Sequence, residues 1–263
     1  MYPPTTPQLS MLIPIGDEDR KAKRPPWITY FLLAANILVF VLLQEGGSNE
    51  AFTYGYSVVP QEITTGEDLT ASETITVNGE SVEIPHHSGP RPIFLTILTA
   101  MFLHGGWFHL FGNMLYLWIF GDNVEHRFGP LPFLAFYLLS GVAGTAVQVA
   151  LDPSSIIPNL GASGAISGVL GAYLILFPKN RVYAVFFWYI IAIPAVVAIG
   201  IWIVFQLISG VGAVVAAEET VGGVAYGAHI GGFFAGLILA LVMRSVIKKE
   251  RSNFYTSYER RSR

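Results

Sequence analysis

The sequence predicts an all-α polytopic membrane protein built from six transmembrane helices, and three observations carry that prediction. Over 263 residues, 52% are hydrophobic and only 13% charged, with a mean hydropathy of +0.53. Soluble domains carry about 25% charged residues, so half that share points to a bilayer rather than to a larger core. Apolar runs long enough for helices recur between polar turns, and the basic residues gather at alternate turns. The absence of cysteine removes disulfide frameworks, thiolate catalysis and cysteine-bound metals.

Taken in order, residues 1–26 read as a flexible cytoplasmic tail that stops at Pro25-Pro26. The first span runs from Trp27 to Leu43 and lacks a small-residue cleavage site, so it reads as retained rather than as a signal peptide. An outer loop covers 45–106. Its stretch 74–84 alternates around Asn78-Gly79, which predicts a small β-hairpin. Pro92 to Leu103 is apolar but too short to span, and suits a re-entrant or interfacial helix. Further spans are expected over Trp107–Val124, Leu131–Leu151, Ser163–Phe177, Ile193–Leu207 and Val224–Met243. These close a membrane domain of residues 27–243, followed by a basic tail over 244–263. No internal repeat is evident.

Orientation follows from the basic residues. With the N-terminus inside, Arg20, Lys21, Lys23, Arg24, Arg127, Lys179, Arg181 and the seven basic residues from Arg244 onward all face the cytoplasm. Of the 15 Lys and Arg residues only Arg91 falls outside. Both termini are therefore expected in the cytoplasm, with the plasma membrane of a prokaryote as the expected location. In this topology the second, fourth and sixth spans all start at the outer face.

Polar groups at membrane depth are expensive and are functional candidates by default. Ser163, flanked by Gly161 and Gly164, opens the fourth span. Fifteen residues of helix cover about 22 Å of a hydrocarbon core about 30 Å thick, which leaves the serine about 8 Å below the outer surface. His109 and Asn113 are four apart on the second span and share a face; His229 lies one turn into the sixth. Ser163, His229 and Asn113 thus fall at similar depth on one side, with His109 one turn nearer the outer surface. A neutral His229 can take the proton of Ser163. His109, Asn113 and the backbone N–H of Ser163 can donate to a developing oxyanion, favoured by the positive end of the helix. No carboxylate lies at this depth, so a Ser-His dyad is the economical reading. Repeats of small residues, Gly164-Gly168-Ala172 and Ala228-Gly232-Gly236, let the fourth and sixth spans approach closely.

His104-x4-His109-x3-Asn113, Gly161-Ala162-Ser163-Gly164 and Ala228-His229-x-Gly231-Gly232-x3-Gly236 resemble the three signature motifs of rhomboid intramembrane serine proteases. The resemblance covers about residues 27–243. It implies Ser163 as nucleophile, His229 as base, His109 and Asn113 as oxyanion donors, His104 as a structural histidine, and Glu125 as a family glutamate beyond the second span. Two departures stand out. Leu95-Thr96 occupies the place of a Trp-Arg pair found in many members, and Ser167 stands where some members stack an aromatic on the base.

The implied partners are the lipid bilayer and transmembrane protein substrates, cleaved in or near their membrane segments. No nucleic acid, cofactor or metal is expected. His86-His87 has no third ligand spaced for one. The gate for sideways substrate entry is expected at Trp202 and Phe205 and the loop 210–223. The alternative function is a catalytically silent rhomboid-like protein that binds membrane proteins. Retention of both Ser163 and His229 argues against it.

Overall fold

A computed structural model describes residues 13–18, 24–77, 80–186, 188–215 and 224–246. The chain is mostly helical. Its first long helix, α1 (Trp27–Leu38), starts after Pro25-Pro26 and passes into a π-helical turn over Val39–Leu43. Its N-terminal N–H groups, which have no partner inside the helix, are met by the Glu125 carboxylate. Glu125 accepts from Ile28 N at 3.0 Å, Thr29 N at 2.7 Å and the Thr29 hydroxyl at 2.8 Å. A buried anion at a helix N-terminus also complements the helix dipole, so Glu125 ties the start of α1 to the helix that carries it.

The loop over residues 45–106 is more ordered than its polar composition suggests. Two short helices, α2 (Glu50–Gly55) and α3 (Pro60–Thr65), precede the expected hairpin, formed by β2 (Glu73–Val77) and β3 (Glu80–Ile84). The Asn78-Gly79 turn lies outside the described residues. A 3-10 turn, α4 (Thr96–Thr99) and a second 3-10 turn then make one apolar piece from Ile93 to Phe102. It meets α5 (Trp107–Phe128) at 77°. The expected re-entrant segment is thus a bent partner of the following helix.

Four long helices complete the body. They are α6 (Pro130–Leu151), α7 (Ser163–Leu176), α8 (Ala195–Val215) and α9 (Tyr226–Val246). By length and composition two reach across a bilayer, Pro130–Leu151 and Tyr226–Arg244, and the bent pair Ile93–Phe102 with Trp107–Phe128 makes a third. Trp27–Leu43, Ser163–Leu176 and Ala195–Val211 are apolar but shorter. Among them α7 is the central post. Every residue from Gly164 to Tyr173 is buried, as expected of a helix that is apolar all round.

The α7–α9 seam is made of backbone. A Cβ added at Gly232 would run into the carbonyl of Gly164, and one at Gly236 into the carbonyl of Gly168. The small-residue repeats read from the sequence therefore do face each other. From α6, Ser140 closes on Gly168, and Gly144 sits 2.5 Å, measured from an added Cβ, from the Ala228 carbonyl.

Three expectations need correction. First, the fold is not purely helical apart from one hairpin. β1 (Ile13–Asp17), β4 (Arg181–Phe186) and β5 (Tyr189–Pro194) form a three-stranded antiparallel sheet in the order β1-β4-β5. Second, residues 13–17 are therefore a strand rather than flexible tail. Asp17 is anchored by hydrogen bonds from the Tyr173 hydroxyl and from Asn123 Nδ2, the latter at 2.8 Å. Third, the fifth long helix begins at Ala195, because residues 189–194 of the apolar run pair with β4. It continues to Val215, so residues 210–215 are helix rather than loop. Residues 216–223 of the expected gate lie outside the described residues.

Candidate active site

The site is assembled at the N-terminal ends of three helices. Ser163 is the first residue of α7, His229 lies in the first turn of α9, and His109 and Asn113 lie in the first two turns of α5. What joins them locally is Gly161, whose φ of 134° belongs to the left-handed region that favours glycine. A Cβ at Gly161 would lie 2.9 Å from His109 Nε2 and 3.4 Å from Ser163 Oγ. The hydroxyl and the ring nitrogen thus flank the same point. Any side chain at position 161 would fill the space between them.

Ser163 and His229 come from the seam. Gly164, beside the serine, faces Ala228, beside the histidine, at 3.5 Å from an added Cβ to the Ala228 carbonyl. Both side chains are half-buried. Among the hydrogen bonds of the described residues none joins the hydroxyl to the imidazole. Such bonds are often long in unliganded sites and tighten with substrate. A small cavity of about 30 Å³ adjoins Ser163, lined in part by Gly161, Thr145, Gln148 and Ala228. That is room for one water among polar groups.

The two imidazoles are held in different ways. His109 Nδ1 accepts a hydrogen bond from the N–H of Gly105 at 3.2 Å. A neutral ring that accepts at Nδ1 carries its proton on Nε2, the nitrogen beside Gly161 and Ser163. His229 Nδ1 lies 2.8 Å from Gln206 Oε1. A carbonyl oxygen can only accept, so Nδ1 donates here, and in the neutral ring Nε2 keeps its lone pair. As neutral rings the two are opposite tautomers, His109 with its proton on Nε2 and His229 with its proton on Nδ1.

Asn113 is buried, and its Nδ2 finds no partner among the described residues. A buried donor left unpaired costs free energy in a structural role, and is what an oxyanion site needs. His104 is fully buried with its ring 5.2 Å from that of His109 and 6.5 Å from that of Phe40. Its backbone is clamped by the Gln44 amide, which donates to His104 O at 2.9 Å and accepts from His104 N at 2.9 Å. Glu125 serves α1 at the other end of α5, away from the site.

Among the described residues Ser167 makes no hydrogen bond to the base. Its hydroxyl donates back to the Ser163 carbonyl at 2.7 Å. The aromatic neighbour of His229 is instead Trp202 on α8, with centroids 6.1 Å apart and planes at 33°. Phe205, the other expected gate residue, is exposed on the same helix. Two residues escaped the sequence reading: Gln206, and Gln148, whose Oε1 accepts from Ala228 N at 3.2 Å in the first turn of α9. Both are amides inside apolar helices, and that polarity at membrane depth was the available signal.

A family model described as "Rhomboid domain" matches residues 92–246, which is more than half of the chain. "Rhomboid protein 1, mitochondrial" of Saccharomyces cerevisiae is 31% identical over 161 residues, covering 60% of this chain and 44% of that protein. "Rhomboid protease GluP" of Bacillus subtilis is 30% identical over 216 residues, covering 82% of this chain and 35% of that one. "Inactive RHOMBOID-like protein 8" of Arabidopsis thaliana is 39% identical over 84 residues, covering 32% of this chain and 23% of that protein. The chain thus spans less than half the length of each of these relatives. The matched stretch contains α5, α7 and α9 with all the motif residues described above, in an apolar helical body, and the chain belongs to the rhomboid family of integral membrane proteins.

Proposed function

We propose that the chain is an intramembrane serine endopeptidase that cuts peptide bonds in or near transmembrane segments of other proteins. Ser163 is the nucleophile and His229 the base, working near the outer face of a six-span bundle with both termini in the cytoplasm. The observation that carries this reading is the meeting of three helix N-terminal ends: His109 Nε2 and Ser163 Oγ flank Gly161, and Gly164 beside the serine packs on Ala228 beside His229.

The reaction follows from these roles. His229 Nε2 takes the Ser163 proton as Oγ adds to the scissile carbonyl carbon. The negative charge that develops on the carbonyl oxygen is met by the Ser163 N–H at the start of α7, by His109 Nε2–H and by Asn113 Nδ2. His229 then gives its proton to the departing amine, and water repeats the sequence to release the acyl group. No cofactor or metal enters these steps. Substrate enters sideways past α8, where Trp202 and Phe205 form the movable wall.

A catalytically silent binder is the competing reading, and likeness to a relative named inactive favours it. A fluorophosphonate probe separates the two. Labelling of the wild type that disappears in Ser163→Ala supports the enzyme, and absence of labelling in detergent and in liposomes refutes it. Incubation with a panel of single-span proteins, followed by mass spectrometry of the fragments, then gives the cut site.

A further inference from the structure

Two residues of α8 meet His229 from the side. Gln206 Oε1 lies 2.8 Å from Nδ1 of the imidazole, and Trp202, one turn earlier, lies against the ring. Gln206 is only 8% exposed, whereas Val204, Phe205, Leu207 and Ile208 around it are exposed apolar residues. An amide in such a stretch costs free energy unless it is hydrogen-bonded, so its presence against the base calls for a function. Ser167, at the position of the ring that some rhomboids stack on the base, is bonded back to the Ser163 carbonyl. No carboxylate hydrogen-bonds to His229 among the described residues.

We propose that Gln206 is the positioning residue for the base. Its carbonyl holds His229 in the Nδ1–H tautomer, turning the Nε2 lone pair toward Ser163, and Trp202 limits tilting of the ring. This rests on the serine-protease reading given above. Gln206 never touches the substrate; it acts only through the imidazole.

The test uses the full chain in detergent micelles, with ¹⁵N-labelled histidine and three forms: wild type, Gln206→Leu and Gln206→Glu. In the wild type the His229 ring nitrogens should report the Nδ1–H tautomer. Gln206→Leu should lose that signature while the signals of buried His104 stay in place, which controls for folding. Turnover of a single-span substrate should fall by about 100-fold in kcat, the scale of a misplaced catalytic group, with KM nearly unchanged. Gln206→Glu, which keeps an acceptor at the same reach, should restore most of the activity. Gln206→Leu with wild-type kcat and an unchanged His229 spectrum overturns the proposal, while probe labelling that depends on Ser163 in the same sample leaves the protease reading standing. A wild type that takes no probe overturns both.

Discussion

The two faces of α9 are built differently. Toward α7 the contact is backbone on backbone, with Gly232 and Gly236 against the carbonyls of Gly164 and Gly168. Toward α8 it is made by side chains, Trp202 against His229 and Phe233, and Gln206 against His229. The first face leaves no room for adjustment, because a glycine seam is set by main-chain sterics. The second can rearrange by rotamer changes, and α8 shows many apolar residues on its outer side. His229 stands between them. In the proposed mechanism its separation from Ser163 comes from the rigid face and its ring orientation from the adaptable one. In the proposed peptidase, a site that must admit a polypeptide and still align two atoms gains from keeping these tasks on separate helices.

The comparison can be broken or sharpened by substitution. The largest effect is expected where the seam is kept and only the chemistry is removed. Ser163→Ala and His229→Ala should each reduce cleavage by at least about 10⁴-fold with thermal unfolding close to wild type; residual activity near normal in either would end the mechanism. Asn113→Ala comes next, with a fall of about 10²- to 10³-fold in kcat because other donors remain, measured on a single-span substrate with KM determined alongside.

Gly232→Ala tests the rigid face itself. Its methyl has nowhere to go except into the Gly164 carbonyl, so destabilisation of about 1–3 kcal/mol is expected, read by unfolding in mixed micelles, together with reduced probe labelling. An unchanged midpoint would mean that the seam can open. The smallest effect should fall on the adaptable face. Phe205→Ala, exposed on α8, should shift stability by no more than about 0.5 kcal/mol. A loss as large as that of Gly232→Ala would remove the distinction.

Much of this arrangement could be read from the chain alone. The serine between glycines, the His109–Asn113 pair four apart and the Ala228-His229 start of the last helix are local patterns, and helical periodicity puts each on a definable face. The glycine repeats likewise mark the seam. The sheet was hidden for a physical reason. Residues 189–194 are a short apolar run, which periodicity cannot distinguish from the start of a buried helix. Their strand character comes from pairing with Arg181–Phe186 and, through it, with Ile13–Asp17. Gln206 was missed because its partner depends on how α8 is rotated about its axis, a property of tertiary packing that no spacing within the chain encodes. Glu125, matched to a family glutamate just beyond the second span, acquires a role only through α1, whose first N–H groups it satisfies.

The strand Ile13–Asp17 has a consequence for how the molecule comes into being. Its partner, Arg181–Phe186, is made more than 160 residues later, so the early segment must wait, unpaired, while four of the long helices are synthesised. Asn123 and Tyr173, which hydrogen-bond to Asp17, are made earlier, but the strand itself can pair only once the ribosome has passed Phe186. The sheet is therefore a late stitch, drawn after the central post is in place, and release of the growing chain before that point would leave this end of the bundle unfastened.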